Sequence, residues 1–233
     1  MSLEPRWLAP LMQVLCETQP EAQAERLRQR LSAQFQRLDG QVPFRLVHQW
    51  QADVVLPLLC DALPEHQPAL LGLRSLHQRA ALGLRGRKGE WRAALRPVLQ
   101  PLYRRAYAYD AAYAQAHESA LSFGLAPANT AMIAEHFGDA KAFALYYAQL
   151  STEANASAFA QANAGANAEI AARAYASDDA EAFAGICGSS ARVYAWACGD
   201  TDEQRRTVFG RLTEGLGECL AQLQPHSTGE RHD

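Results

Sequence analysis

Apolar side chains recur at steps of three and four along most of the chain. Leu27, Leu31, Phe35 and Leu38 form one such stripe, the spacing of a single buried helix face. Asp39-Gly40 closes it, glycine supplying the left-handed C-terminal conformation at little steric cost. Thr18 is the expected N-cap region of that helix, and Pro20 suits its first turn. A second helix is expected from Phe44 to Leu63, where Pro57 should kink it or divide it near Val54. A third runs from Pro68 to Leu84, ending in the basic, glycine-punctuated stretch 83–89.

The stripe Trp91, Leu95, Leu99, Leu102, Tyr103 and Tyr107 then leads, despite Pro97 and Pro101, through Ala-rich sequence to Phe123-Gly124. A short helix is expected over Asn129–Phe137 and a long one over Ala140–Ala176. Ser177-Asp178-Asp179 looks like the N-cap of a further helix to Ala197. The last helix, Thr201–Leu223, carries Val208, Phe209, Leu212, Leu216 and Leu220 on one face. Residues 225–233 read as a polar, disordered tail. Alternating alanines over 154–164 match a strand period formally, but alanine is the best helix former and is depleted in strands. The expected fold is an all-α multi-helix bundle with more than two-thirds of the chain helical.

Composition divides this bundle. Residues 1–100 hold 20 Leu and 11 Ala, and residues 101–200 hold 5 Leu and 33 Ala. That suggests a Leu-rich N-terminal subdomain over 1–84 and an Ala/aromatic-rich bundle over 90–224, packed as one unit. Charge divides in the same place. Residues 1–105 carry 15 basic and 9 acidic side chains, and residues 106–233 carry 7 and 16. The whole chain is at −3, which does not suit a nucleic-acid or membrane-surface protein. Arginine outnumbers lysine 20 to 2, which with the alanine excess suits a GC-rich bacterial source.

The five cysteines lack CxxC spacing, so neither a disulfide scaffold nor a zinc ribbon is expected. The first residues carry no basic-then-apolar leader pattern. No apolar run reaches the ~20 residues of a membrane span. A cytoplasmic setting follows as the expectation.

Motifs for chemistry are sparse. There is no GxxxxGK[ST], no GxGxxG after a strand and no GxSxG. No Glu-x-x-His supports a di-iron bundle, although Asp110, His117, Glu118, Glu135, His136, Asp139, Glu153 and Glu169 scatter over the second half. No metal or other cofactor is assigned. Cys187 and Cys198 read as small buried residues. His48, His66 and His77 stand at no ligand spacing to an acid or Cys, the adjacent Glu65-His66 aside.

The unusual signal is amide. Asn155, Asn163 and Asn167 share a stripe with Phe159 at steps of four. Asparagine competes with the helix backbone for hydrogen bonds, so the stripe suggests polar contacts between helices, with Asn163 buried, or a binding surface. Arg85, Arg87 and Lys88 lead a basic segment that extends to Arg105. It is expected to meet an acidic partner or to clamp the two halves together.

Absence of a catalytic constellation, together with the charge split, favours a non-enzymatic module of the adaptor, chaperone-like or immunity type that binds a protein partner. Self-association is compatible with it; nucleic acid and membrane are not expected partners. The alternative is a helical-bundle enzyme or small-ligand binder, with or without a carboxylate/histidine metal site, among Tyr107, Tyr113, His117, His136, Tyr147, Asn155 and Asn163.

Overall fold

The first helices form as the stripes dictate, and the exceptions have local causes. A computed structural model describes residues 4–106 and 109–224. It is 84% helical, with no strand among the described residues. Helix α1 (Ala9–Glu17) is followed by α2 (Glu21–Arg37). Pro20 itself occupies the N-cap of α2, while the Thr18 hydroxyl turns back to the carbonyls of Val14 and Leu15 at 3.4 Å. The expected Thr18 cap is thus replaced by a bond that closes α1.

Pro57 divides the next helix, as expected. α3 (Arg45–Trp50) passes through a π turn (Gln51–Val55) into α4 (Leu56–Ala62). In the π turn the Leu56 N–H donates to the Gln51 carbonyl. The next carbonyl in that ladder, Ala52, would need an N–H that Pro57 lacks. Arg74 supplies it, its Nε donating to Ala52 O at 2.8 Å. A single 3-10 turn (Pro64–His66) leads into α5 (Gln67–Ala81), where Arg74 lies.

The second half is built on a long antiparallel hairpin. α6 (Lys88–Ala106) and α7 (Tyr109–Leu125) run along one side. α8 (Thr130–Phe137) makes the turn, and α9 (Ala140–Ser177) returns. At 38 residues α9 is about 57 Å long. α10 (Ala180–Cys198) and α11 (Asp202–Gln222) then fold back over α1, α2 and α3. Asp179 caps α10 by accepting from the Ala182 N–H at 2.9 Å, and Thr201 with Gln204 forms a reciprocal capping box on α11.

A continuous cluster of buried apolar residues runs from Leu8 to Leu223 and draws on both halves. α6 packs on α5, α9 and α10, inside this body. α7 packs instead on α9 and α8. The hairpin's far half therefore extends beyond the body as an arm. Its seam is lined by Ala120 and Gly124 of α7 and by Ala144 and Ala148 of α9. A Cβ on Gly124 would stand 3.1 Å from that of Ala140, so glycine is what lets the two backbones approach. No described helix is long and apolar enough to cross a membrane.

Candidate functional site

The arm holds most of the residues singled out in the sequence. Tyr113 and His117 sit one turn apart on α7, half-buried, with rings near parallel at 6.2 Å. His136 is exposed on α8. Tyr107 and the side chain of Asp110 lie outside the described residues. Among the described residues no three His, Cys, Asp or Glu side chains are grouped to hold a metal ion. The set is therefore distributed along the arm.

Asn163 is half-buried and bonds within its own helix, where burial and a cross-helix bond were expected. Its Nδ2 donates to Phe159 O at 2.9 Å. Asn167 donates to Asn163 O at 3.0 Å, and the exposed Asn155 to Ser151 Oγ at 3.3 Å. Steps of four set each amide over the preceding turn of α9, so the nearest acceptor belongs to that helix. The stripe is self-satisfied and does not tie helices together.

At the arm's tip α7, α8 and α9 bring five aromatic rings into one cluster. Phe143 meets Phe123 at 6.0 Å, Phe137 at 5.1 Å and Tyr147 at 5.8 Å, and Phe137 meets Tyr146 at 5.6 Å. The cluster is not covered: Phe123 is 51% exposed, Tyr146 57% and Tyr147 47%. Leu125, Met132, Leu145 and Leu150 beside it are also exposed. Nine of the thirteen exposed large apolar side chains among the described residues lie on α7 to α9, so exposure is concentrated here. Small residues fill the seam and large ones face water, the reverse of a self-sufficient hairpin.

The basic segment faces acids of the second half. Arg85 pairs with Asp178, Lys88 and Arg92 with Glu169, Arg104 with Glu153, and Arg105 with Asp200 at 3.9 Å. Lys88 and Arg92 hold the Glu169 carboxyl below its ordinary range. Arg87 is exposed beside them. This arrangement supports the clamp expectation. Replacing Arg85, Arg87 and Lys88 together by Glu is expected to lower Tm by a few degrees, because exposed pairs each contribute little. An unchanged Tm in a thermal melt would show that these pairs do not hold the halves together.

A second centre lies inside the body and has no counterpart in the sequence reading. His48 of α3 and His77 of α5 are each 1% exposed, with Nδ1 facing Nδ1 at 3.0 Å. One Nδ1 carries the proton and the other accepts it, an arrangement that two neutral rings satisfy. Around it stand Trp91 of α6, stacked on His48 at 5.5 Å, Tyr175 of α9, 4.8 Å from His77, and Phe44. Phe183 of α10 completes the cage through Phe44 and Tyr175. Five helices and both halves meet here.

Burial pushes the His48 imidazole down to about 4, against the opposing pull of Asp178, and pushes His77 well below the ordinary histidine range. His48 Nε2 stands 3.7 Å from Asp178 Oδ1, too far for a hydrogen bond, and it is buried without a partner. Asp178 holds the left-handed backbone between α9 and α10, at φ 53°, and is latched by Arg85.

This centre is sealed. Surface depressions run between α2 and α11, beside Gln49, Gln78 and Gln222, and beside Met12 and Arg28, and neither histidine lines them. Nor is there an activated thiol at Cys187 or Cys198, since burial pushes both to about 11. No protein family, characterised protein or solved structure matches this chain.

Proposed function

We propose that the protein is a non-enzymatic interaction module that acts by binding another protein through the α7–α9 arm. One observation carries this reading: the arm presents a connected cluster of half-exposed aromatic rings at its tip. Aromatic side chains supply large contact area for little conformational entropy and are enriched at interface centres. Half-exposed large apolar side chains leave on the order of 100 Å² each. The seven around the tip thus leave on the order of 700 Å², above the patch of a typical monomer. The sealed histidine centre fits a structural role beneath this reading, because it has no opening for a substrate.

The test is a photo-crosslinking side chain placed at Tyr146 on the arm or, as a control, at the exposed Gln29 on α2, in cells producing the protein. Discrete protein adducts from position 146 and not from position 29 are expected. Equal labelling from both positions, or none from 146, overturns the arm as the contact element.

A further inference from the structure

We infer that the occupant of the arm is a second copy of this chain, the two arms meeting along α9 in a two-fold dimer. The inference rests on the reading of the arm as a contact element and names what it contacts.

The first argument is architectural. A helix edge left apolar on one chain can be covered by the same edge of a second copy across a two-fold axis. The sides of the hairpin are already differentiated for this. α7 exposes Gln115, Glu118, Ser119 and Ser122, a surface suited to water. α9 turns Ala144, Ala148 and Thr152 inward and exposes Leu145, Tyr146 and Leu150. Met132 of α8 and Leu125 are exposed at the same end.

The second argument is area. A standard interface takes about 800 Å² from each partner. The tip and its neighbours leave on the order of 700 Å² of large apolar side chain alone. That approaches what one partner gives to a specific dimer.

The third argument is charge. Residues 142–152 include no Asp, Glu, Lys or Arg. A face meeting its own copy must oppose like with like near the axis, and any charge there repels itself. Selection of a different protein leans on complementary charge, and this face offers none. An uncharged α9 stretch in a chain that is 20% charged fits a self-contact, with the exposed Glu135 of α8 and Glu153 of α9 at its border.

Sedimentation equilibrium of the full chain over a range of concentrations tests this. The expected mass at tens of micromolar is twice the 25.5 kDa of the chain. Added salt should leave the dimer intact. Tyr146→Glu with Leu150→Glu should weaken association at least ~100-fold while helicity holds, because both positions face water in the single chain; Tm should fall only as far as loss of the dimer lowers it. The milder pair Tyr146→Ser and Leu150→Ser should weaken it in the same direction. A monomer at every concentration overturns the inference. So does a dimer that salt dissociates or that all four substitutions leave unchanged. Position 146 would still crosslink to other proteins if only the self-contact were wrong. Loss of both results removes the arm's role altogether.

Discussion

Between pH 6.5 and pH 4 the protein is expected to lose about 3 kcal/mol of unfolding free energy through His48 alone, with His77 adding to it, read from urea midpoints at constant m. The cause is the His48–His77 pair. In the folded chain His48 takes up its proton only near pH 4, because burial opposes the charge. In the unfolded chain it does so near 6.5. Between these values the unfolded state binds more protons, so stability rises with pH. The contribution is fully present above 6.5 and is lost as pH falls through the folded value. Once both rings carry a second proton, N–H faces N–H across 3.0 Å and the hydrogen bond is lost.

Carboxylates act in a lower window. Asp179 is held below its ordinary range by the Ala182 N–H and by Arg173, and Glu169 by Lys88 and Arg92. Their contributions are lost only as pH falls further. Replacing His48 by Phe together with His77 by Leu should flatten the upper slope and leave the lower one. The single change His77→Leu is worse at neutral pH, costing about 1–3 kcal/mol, because His48 Nδ1 then lacks its partner. A stability that stays constant from pH 7 to pH 4.5 in the native sequence would mean that the pair is open to water.

Why the histidine pair escaped the sequence, while the helices around it did not, comes down to range. Pro57 announced the break in α3–α4 because its missing N–H acts on its own helix. Asp179 and Thr201 announced their helices by capping chemistry three residues away. His48 and His77 lie 29 residues apart on different helices, and no local rule links them. One signal was available. Leu70, Leu73, His77 and Ala80 follow each other at three- and four-residue steps, which puts His77 on the buried face of α5. A histidine on an apolar stripe demands a polar partner, and His48, four residues after Phe44, was a candidate.

The asparagine stripe erred in the other direction. Helical spacing placed Asn155, Asn163 and Asn167 on one face correctly, but spacing does not say whether a neighbouring helix covers that face. Each amide had an acceptor one turn back on α9 and took it. The arm shows the same limit. Alanine next to aromatic residues suggested large side chains packing into small gaps. With only two helices there is one seam. The register gives that seam to Ala144 and Ala148 and leaves Tyr146 and Tyr147 outside.

Trp91→Ala is expected to be among the most damaging single changes in the chain, at about 3–5 kcal/mol, and it should also change the acid response. The indole is fully buried where α3, α5, α6 and α9 converge. It stacks on His48, meets His77 edge-on at 4.8 Å and Tyr175 at 5.1 Å. Gly86 presses so close that a Cβ there would stand 3.0 Å from Nε1, yet Nε1 has no hydrogen-bond partner. Two effects of the side chain are therefore separable. Trp91→Phe keeps a ring against the imidazoles and removes an unsatisfied donor, so it should cost less than about 2 kcal/mol. Trp91→Ala leaves a space bordered by polar nitrogens, the kind that water enters. Water beside His48 relieves the desolvation that depresses it, and its midpoint should climb from about 4 back toward 6.5. In Trp91→Ala the histidine resonances should titrate higher, and the stability slope between pH 6.5 and 4 should shrink. In Trp91→Phe both should stay as in the native chain. If Trp91→Ala loses stability but keeps the full slope, the indole is packing alone, and the cage that keeps the pair neutral lies with Phe44, Tyr175 and Phe183.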